Sequence, residues 1–231
     1  MSSTVVAIDG PSASGKSSTA VAVAEGLGFR HLDSGALYRG LTLVAIRAGL
    51  PSPYDEGDIL RAAEEVGLEL RPVLGSFQVV LEASGEILAE ELRTADVTAR
   101  VSEVAALPAI RDWVNRHLRS AAVSGGAVVV DGRDIGSVVF PEAELKVFLT
   151  ASPAARAQRR LVQRGDQVDQ AWLTAETDAL AARDRADSHR AVAPLIQAPD
   201  AVLLDTSEMG FVEQVDRIVA LARERGITPG P

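Results

Sequence analysis

Val5-Val-Ala-Ile-Asp-Gly10-Pro11-Ser12-Ala13-Ser14-Gly15-Lys16-Ser17-Ser18 decides how the rest of the chain is read. Four apolar residues in succession, Val5 to Ile8, have the length of a buried strand. Gly10 to Ser17 fits the spacing G-x-x-x-x-G-K-[ST], and helical sequence follows from Lys16 to about Glu25, stopped by Gly26 and Gly28. Strand, loop and helix form the setting this motif requires. The glycines let several backbone N–H groups turn inward, and the helix adds its positive end. Residues 10–18 are therefore expected to cradle phosphates, with Lys16 reaching the β- and γ-phosphates and the Ser17 hydroxyl ligating Mg²⁺. A chance serine–glycine turn is disfavoured, because both glycines, the lysine and the serine keep the spacing in a chain whose only lysines are Lys16 and Lys146. The implied ligand is a nucleoside triphosphate.

Working outward, short apolar runs alternate with helical stretches. Strands are predicted at Phe29 to Leu32, Ala127 to Val130, Leu145 to Leu149 and Val202 to Leu204, making five with Val5 to Ile8. Helices are predicted over Ser34 to Ala48, Thr94 to about Ala122, about Gln170 onward, and about Phe211 to Arg225. Continuous apolar strands separated by helices imply an α/β fold, a parallel sheet covered on both faces. Residues 51–90 break the rhythm: Asp58 to Val66 reads as a helix, while Leu68 to Arg71 and Phe77 to Glu82 alternate about turn signals at Gly75 and Ser84-Gly85. That stretch reads as a small antiparallel insert in the connections of the sheet.

The 231 residues, 47% hydrophobic, suffice for one domain with a substantial core. The chain has no cysteine, which excludes disulfides, thiol nucleophiles and cysteine-built metal sites. His31, His117 and His189 lie far apart in sequence, against a histidine-built metal centre. A formal charge of −9 and 4% aromatic content argue against nucleic acid or an anionic membrane as partner. No apolar run approaches the roughly 20 residues of a membrane span, and the first residues carry no secretory signal, so a cytoplasmic protein is expected. Nothing marks a large apolar interface, and a monomer is expected.

A phosphate loop alone does not separate kinases from switches and motors. The only asparagine, Asn115, is followed by Arg116 and His117, so the N-K-x-D signature of guanine-specific switches is missing. A small phosphotransferase is favoured, since its second substrate needs cations from the same chain. Leu32-Asp-Ser-Gly-Ala-Leu-Tyr-Arg39 puts Ser34 and Arg39 at a helix start beyond the second strand, where an acceptor would meet the sheet's carboxyl edge. Helix capping by Asp33 or Ser34 with a solvated Arg39 explains that stretch equally well. Asp131-Gly-Arg-Asp134 follows a strong strand, so Asp131 can support Mg²⁺ or its waters while Arg133 and Asp134 face a substrate; a polar turn is the weaker alternative. Arg183, Asp187 and Arg190 recur at spacing for one helical face. Alone that suggests a solvated ion-paired surface; in a phosphotransferase, arginine forks there clamp the moving phosphate.

Together, IDGPSASGKS, LDSGALYRG, VVDGRDIGSVVFP, ARDRADSHR and the AVAPL that follows resemble the bacterial-type cytidylate kinases of the nucleoside monophosphate kinase family, from Val5 to about Thr206. LDSGALYR and DGRDIGSVVFP carry the resemblance, since adenylate- and guanylate-type kinases share the loop without them. The resemblance implies a single P-loop kinase domain of three layers on a five-stranded parallel sheet. Its core would be 1–50, 91–152 and 191–231, with a β-containing NMP-binding insert at about 51–90 and a helical lid at about 153–190. It implies that Ser34, Arg39, Arg111 and Asp134 contact CMP, with Ser102 at the base, and that Arg133, Asp187 and Arg190 lie around phosphate and sugar. Arg183 and Arg190 would neutralise the transferred group beside Lys16 and Arg133. The implied reaction is Mg²⁺-dependent transfer from ATP to CMP or dCMP. A kinase for another small acceptor and a non-catalytic ATP-binding regulator are the alternatives. An apolar residue is expected at position 178, where Asp stands.

Overall fold

The computed structural model describes residues 3–166 and 168–228. It begins with β1 (Thr4–Asp9), α1 (Lys16–Leu27), β2 (Arg30–Asp33) and α2 (Ser34–Arg47). The region 51–90 contributes α3 (Glu56–Val66), β3 (Leu68–Val73), β4 (Ser76–Leu81) and β5 (Glu86–Leu88). Next come α4 (Ala95–Val104), α5 (Pro108–Gly125), β6 (Ala127–Gly132) and β7 (Leu145–Thr150). The chain then forms α6 (Pro153–Arg164), α7 (Gln170–His189), β8 (Val202–Asp205) and α8 (Phe211–Glu224).

Strands β2-β6-β1-β7-β8 form the expected five-stranded parallel sheet. Its two-faced burial follows from the period-2 alternation of each strand. Val5, Ala7, Val128 and Val130 pack on one face under α2 to α5. Val6, Ile8 and Val129 point the other way, under α1 and α8. Two apolar cores thus lie back to back across one sheet.

The insert differs from its expected place. Its strands do not stay in the connections: β4 pairs parallel with β2 through His31 and Ser76, and β3 and β5 flank β4 antiparallel, giving an eight-stranded sheet. The three-residue β5 is too short to show an alternation in sequence. The helix predicted over Thr94 to Ala122 is two helices, because Pro108 opens α5 and holds Leu107 in an extended conformation (ψ 124°). Arg190 does not share the helical face of Arg183 and Asp187. It is the residue after α7, and its ψ of 143° turns the chain out of the helix. Asp178 is exposed on α7, so no apolar side chain is needed there.

Candidate active site

The carboxyl ends of β1, β2 and β6 deliver the site. A Cβ on Gly10 would lie 2.1 Å from the Leu149 carbonyl oxygen, so only glycine lets the loop turn this tightly away from β7. Ala13 and Gly15 take positive φ angles of 58° and 88°. Pro11 accepts a 3.1 Å hydrogen bond from Lys16 Nζ, and Ser14 is fully buried with an unpartnered hydroxyl. Gly10, Pro11 and Ser14 therefore build the loop from behind, whereas Ser12, Ala13, Gly15, Lys16, Ser17 and Ser18 face a cavity of about 370 Å³. Burial lowers the Lys16 amine to about 7, helped by the Arg133 cation.

Ser17 Oγ donates to Asp131 Oδ2 at 2.6 Å, and the other carboxylate oxygen lies 2.8 Å from His31 Nε2. Burial opposes charge on both members of the His31–Asp131 pair, yet their mutual contact prevails. It holds the imidazole above and the carboxylate below their usual ranges. The Ser17–Asp131 arrangement leaves hard oxygen donors together at the mouth of the loop.

At the start of α2, Asp33 caps the helix by accepting from the Ala36 N–H at 3.2 Å, so the capping reading holds for Asp33. Ser34 is not the cap: its hydroxyl donates to the Asp131 carbonyl at 2.7 Å. Arg39 lines the cavity half-buried, with a buried Nε lacking a partner. Asp134 is gripped by Arg111 and lies 3.4 Å from Arg190 Nη2. The Arg111 guanidinium also sits 5.5 Å from the Tyr38 ring centroid, a cation–π arrangement. Tyr38 carries a buried, unpartnered hydroxyl whose pKa burial pushes up to about 12. Ser102 lines the same cavity from α4.

The turn carrying Arg133 and Asp134 is anchored from below. Buried Asp9 accepts the N–H groups of Ile135 at 2.8 Å and Gly136 at 2.7 Å, where one turn of π-helix begins. Burial raises its carboxyl to about 6 despite those two donors. Arg133 reaches the other way, with Nε 2.9 Å from Asp187 and Nη2 2.9 Å from the Ser12 hydroxyl. Arg183 faces the cavity beside it, lowered to about 10 by burial and by the neighbouring Arg133 and Arg39 cations. Lys16, Arg39, Arg133 and Arg183 thus converge on one cavity, which Asp187 and Arg190 also line.

Several lining or supporting residues escaped the sequence reading: Asp9, His31, Tyr38, Arg93, Arg156, Arg160 and Asp184. Asp9 adjoins the loop motif, which was its available signal. Arg93, Arg156 and Arg160 carry none, because arginine is the default cation of this chain.

A family model described as Cytidylate kinase matches residues 6–224. The chain belongs to the cytidylate kinase family. It is 44% identical over 223 residues to a cytidylate kinase of Anoxybacillus flavithermus, covering 95% of this chain and 96% of that one. A Mycobacterium avium cytidylate kinase is 43% identical over 225 residues, covering 96% of each chain. A bifunctional pantoate ligase/cytidylate kinase of Synechococcus sp. is 42% identical over 98% of this chain, which spans 42% of that longer protein. The solved structure of TT1252 from Thermus thermophilus shares the fold at a TM-score of 0.52 and 17% identity, covering 97% of this chain and 98% of that one. Membership in this kinase family makes the chain a phosphotransferase of the nucleoside monophosphate kinase class.

Proposed function

We propose that this kinase transfers the γ-phosphoryl group of ATP to CMP, and to dCMP, giving ADP and CDP or dCDP. The observation that carries the reading is the convergence of Lys16, Arg39, Arg133 and Arg183 on one cavity whose far wall holds the Arg111–Asp134–Arg190 cluster. Phosphoryl transfer asks the protein for alignment and charge neutralisation more than for covalent chemistry. Lys16 and the loop amides hold the triphosphate. Ser34 and Arg39 take the acceptor phosphate, Arg133, Arg183 and Arg190 neutralise the group in flight, and Arg111 and Asp134 contact the CMP, with Ser102 at its base. Asp187 and Arg190 complete the acceptor pocket.

The Ser17 hydroxyl and the Asp131 carboxylate, hard oxygen donors 2.6 Å apart, fit Mg²⁺, a cation that keeps most of its waters and takes few protein ligands. Bound there, the ion would neutralise phosphate charge; His31 keeps Asp131 ionised for that task.

In this reading residues 51–90 act as the NMP-binding insert and 153–190 as the lid within a single domain. The lid excludes water, which would otherwise take the phosphoryl group. Among the described residues no helix is long and apolar enough to cross a membrane, and we take the enzyme to act as a monomer in the cytoplasm.

The test is ADP release with ATP and Mg²⁺ across CMP, dCMP, UMP and non-nucleotide acceptors. Strong stimulation by CMP and dCMP is expected. ADP release indifferent to CMP would overturn the reading.

A further inference from the structure

Ser12 is held at every polar atom it owns. Its N–H donates to Asp184 Oδ1 at 3.0 Å, its carbonyl accepts from Arg156 Nη1 at 3.0 Å, and its hydroxyl accepts from Arg133 Nη2 at 2.9 Å. Arg156 Nη1 also meets Asp184 Oδ2 at 2.5 Å, which closes a ring of Ser12, Arg156 and Asp184. Arg156 is 7% exposed, so this contact is made largely out of water, where charge-assisted hydrogen bonds are strong.

The three residues come from different elements. Ser12 belongs to the phosphate loop, Arg156 to the first turn of α6, and Asp184 to α7. Asp187, three residues on, grips Arg133, which also holds Ser12, so two carboxylates of α7 converge on one loop residue.

The held carbonyl matters because a trans peptide is planar and its C=O and N–H point in opposite directions. With the Ser12 carbonyl fixed on Arg156, the Ala13 N–H must point away from Arg156, and Ala13 lines the phosphate cavity. Ala13 also has a φ of 58°, a left-handed conformation that an alanine keeps only when its surroundings enforce it.

We propose that Arg156 and Asp184 form a latch between the α6–α7 hairpin and the phosphate loop, which holds the Ser12–Ala13 peptide with its N–H toward the triphosphate. Both are positioning residues acting through Ser12. Docking of the hairpin and readiness of the loop for ATP are thereby one event. The inference rests on the ATP:CMP phosphotransferase reading, whose own failure the unmodified chain would show separately.

The test compares the near-isosteric Asp184→Asn and the charge-retaining Arg156→Lys with the unmodified chain. Equilibrium titration with ATP alone is followed by titration with CMP alone, and then by ATP hydrolysed per CDP formed. Asp184→Asn sets an amide donor against Arg156 or loses the Ser12 bond. We expect about tenfold weaker ATP binding, equivalent to ~1.4 kcal/mol, with CMP affinity within twofold and more ATP wasted as hydrolysis. The double variant is expected to bind ATP no more weakly than the poorer single variant, because one ring is broken once. ATP affinity within twofold of the unmodified chain in a folded Asp184→Asn variant would overturn the latch, as would equal losses for ATP and CMP or fully additive losses in the double variant. Should Arg156→Lys not fold, the ATP-against-CMP comparison in Asp184→Asn alone decides. Lack of CMP-stimulated turnover in the unmodified chain would instead refute the proposed reaction and leave the ATP titration standing.

Discussion

Arg111→Met is a stringent probe of the acceptor wall. Arg111 is 1% exposed, and it gives Asp134 its closest cation; Arg190 stays 3.4 Å from the same carboxylate. Breaking a buried pair from one side costs about 3–5 kcal/mol, because the remaining charge is stranded away from water. Arg190 retains part of the compensation, which places the expected loss near ~3 kcal/mol. For a domain of this size each kcal/mol moves the melting temperature by roughly 2–4 °C. A drop of about 6–12 °C in calorimetric Tm is therefore expected for Arg111→Met. The companion Arg111→Met/Asp134→Leu removes both charges and leaves Arg190 with Asp187 nearby. It should recover at least half of the lost stability, since replacing both partners by apolar groups is close to neutral. CMP-dependent turnover should stay low in both, while ATP binding is retained. A fall below about 2 °C in the single variant, or a double variant no more stable than the single, would refute the stranded-charge argument.

Asp9 supplies a pH prediction of definite sign. Its carboxyl is raised from 3.8 to about 6 in the fold. Between those values the native state holds a proton that the unfolded chain has released, so this residue's stabilising contribution is complete at low pH and lost as pH rises through 6. Denaturant melts of Asp9→Asn against the parent should show the variant gaining about 3 kcal/mol in relative stability between pH 3 and pH 8; a pH-independent difference would contradict the buried-carboxyl account. Lys16, lowered to about 7 by burial, should take up a proton when ATP binds at pH 8. Calorimetric titrations in buffers of different ionisation heat should reveal that uptake, and Lys16→Arg should abolish it. Gly132→Ala would place a Cβ 2.6 Å from both Ser34 Oγ and Ile135 Cγ1. Displacement of Ser34 should raise KM for CMP at least tenfold and leave ATP affinity within twofold; equal effects on both substrates would show that the damage is not local.

Much of the architecture was legible because strand burial and loop chemistry are written locally. Val5 to Ile8, Ala127 to Val130 and Leu145 to Leu149 are continuous apolar runs that only a sheet covered on both faces can bury. The joining of β4 to β2 was not legible, because one residue pair, His31 with Ser76, makes that connection and a single rung leaves no periodic trace. At the site, Lys16 and Ser17 follow from the loop motif, and Asp131 and Arg133 from the carboxyl end of β6. Arg156 and Asp184 do not, since their importance comes from meeting Ser12, 144 and 172 residues away in sequence. Arg190 lies beyond the helix that its sequence suggests, because the charge spacing of Arg183, Asp187 and Arg190 continues a helical pattern past the point where the backbone leaves it.

The back-to-back cores have a corollary. The triphosphate loop is braced from the α1 and α8 side, whereas Tyr38, Arg111 and Ser102 ride on helices rooted in the opposite hydrophobic mass. Substitutions beneath α2, α4 and α5 therefore bear first on Tyr38, Ser102 and Arg111, while β1, seated in both cores through Val5 and Ala7 on one side and Val6 and Ile8 on the other, ties the loop to either half.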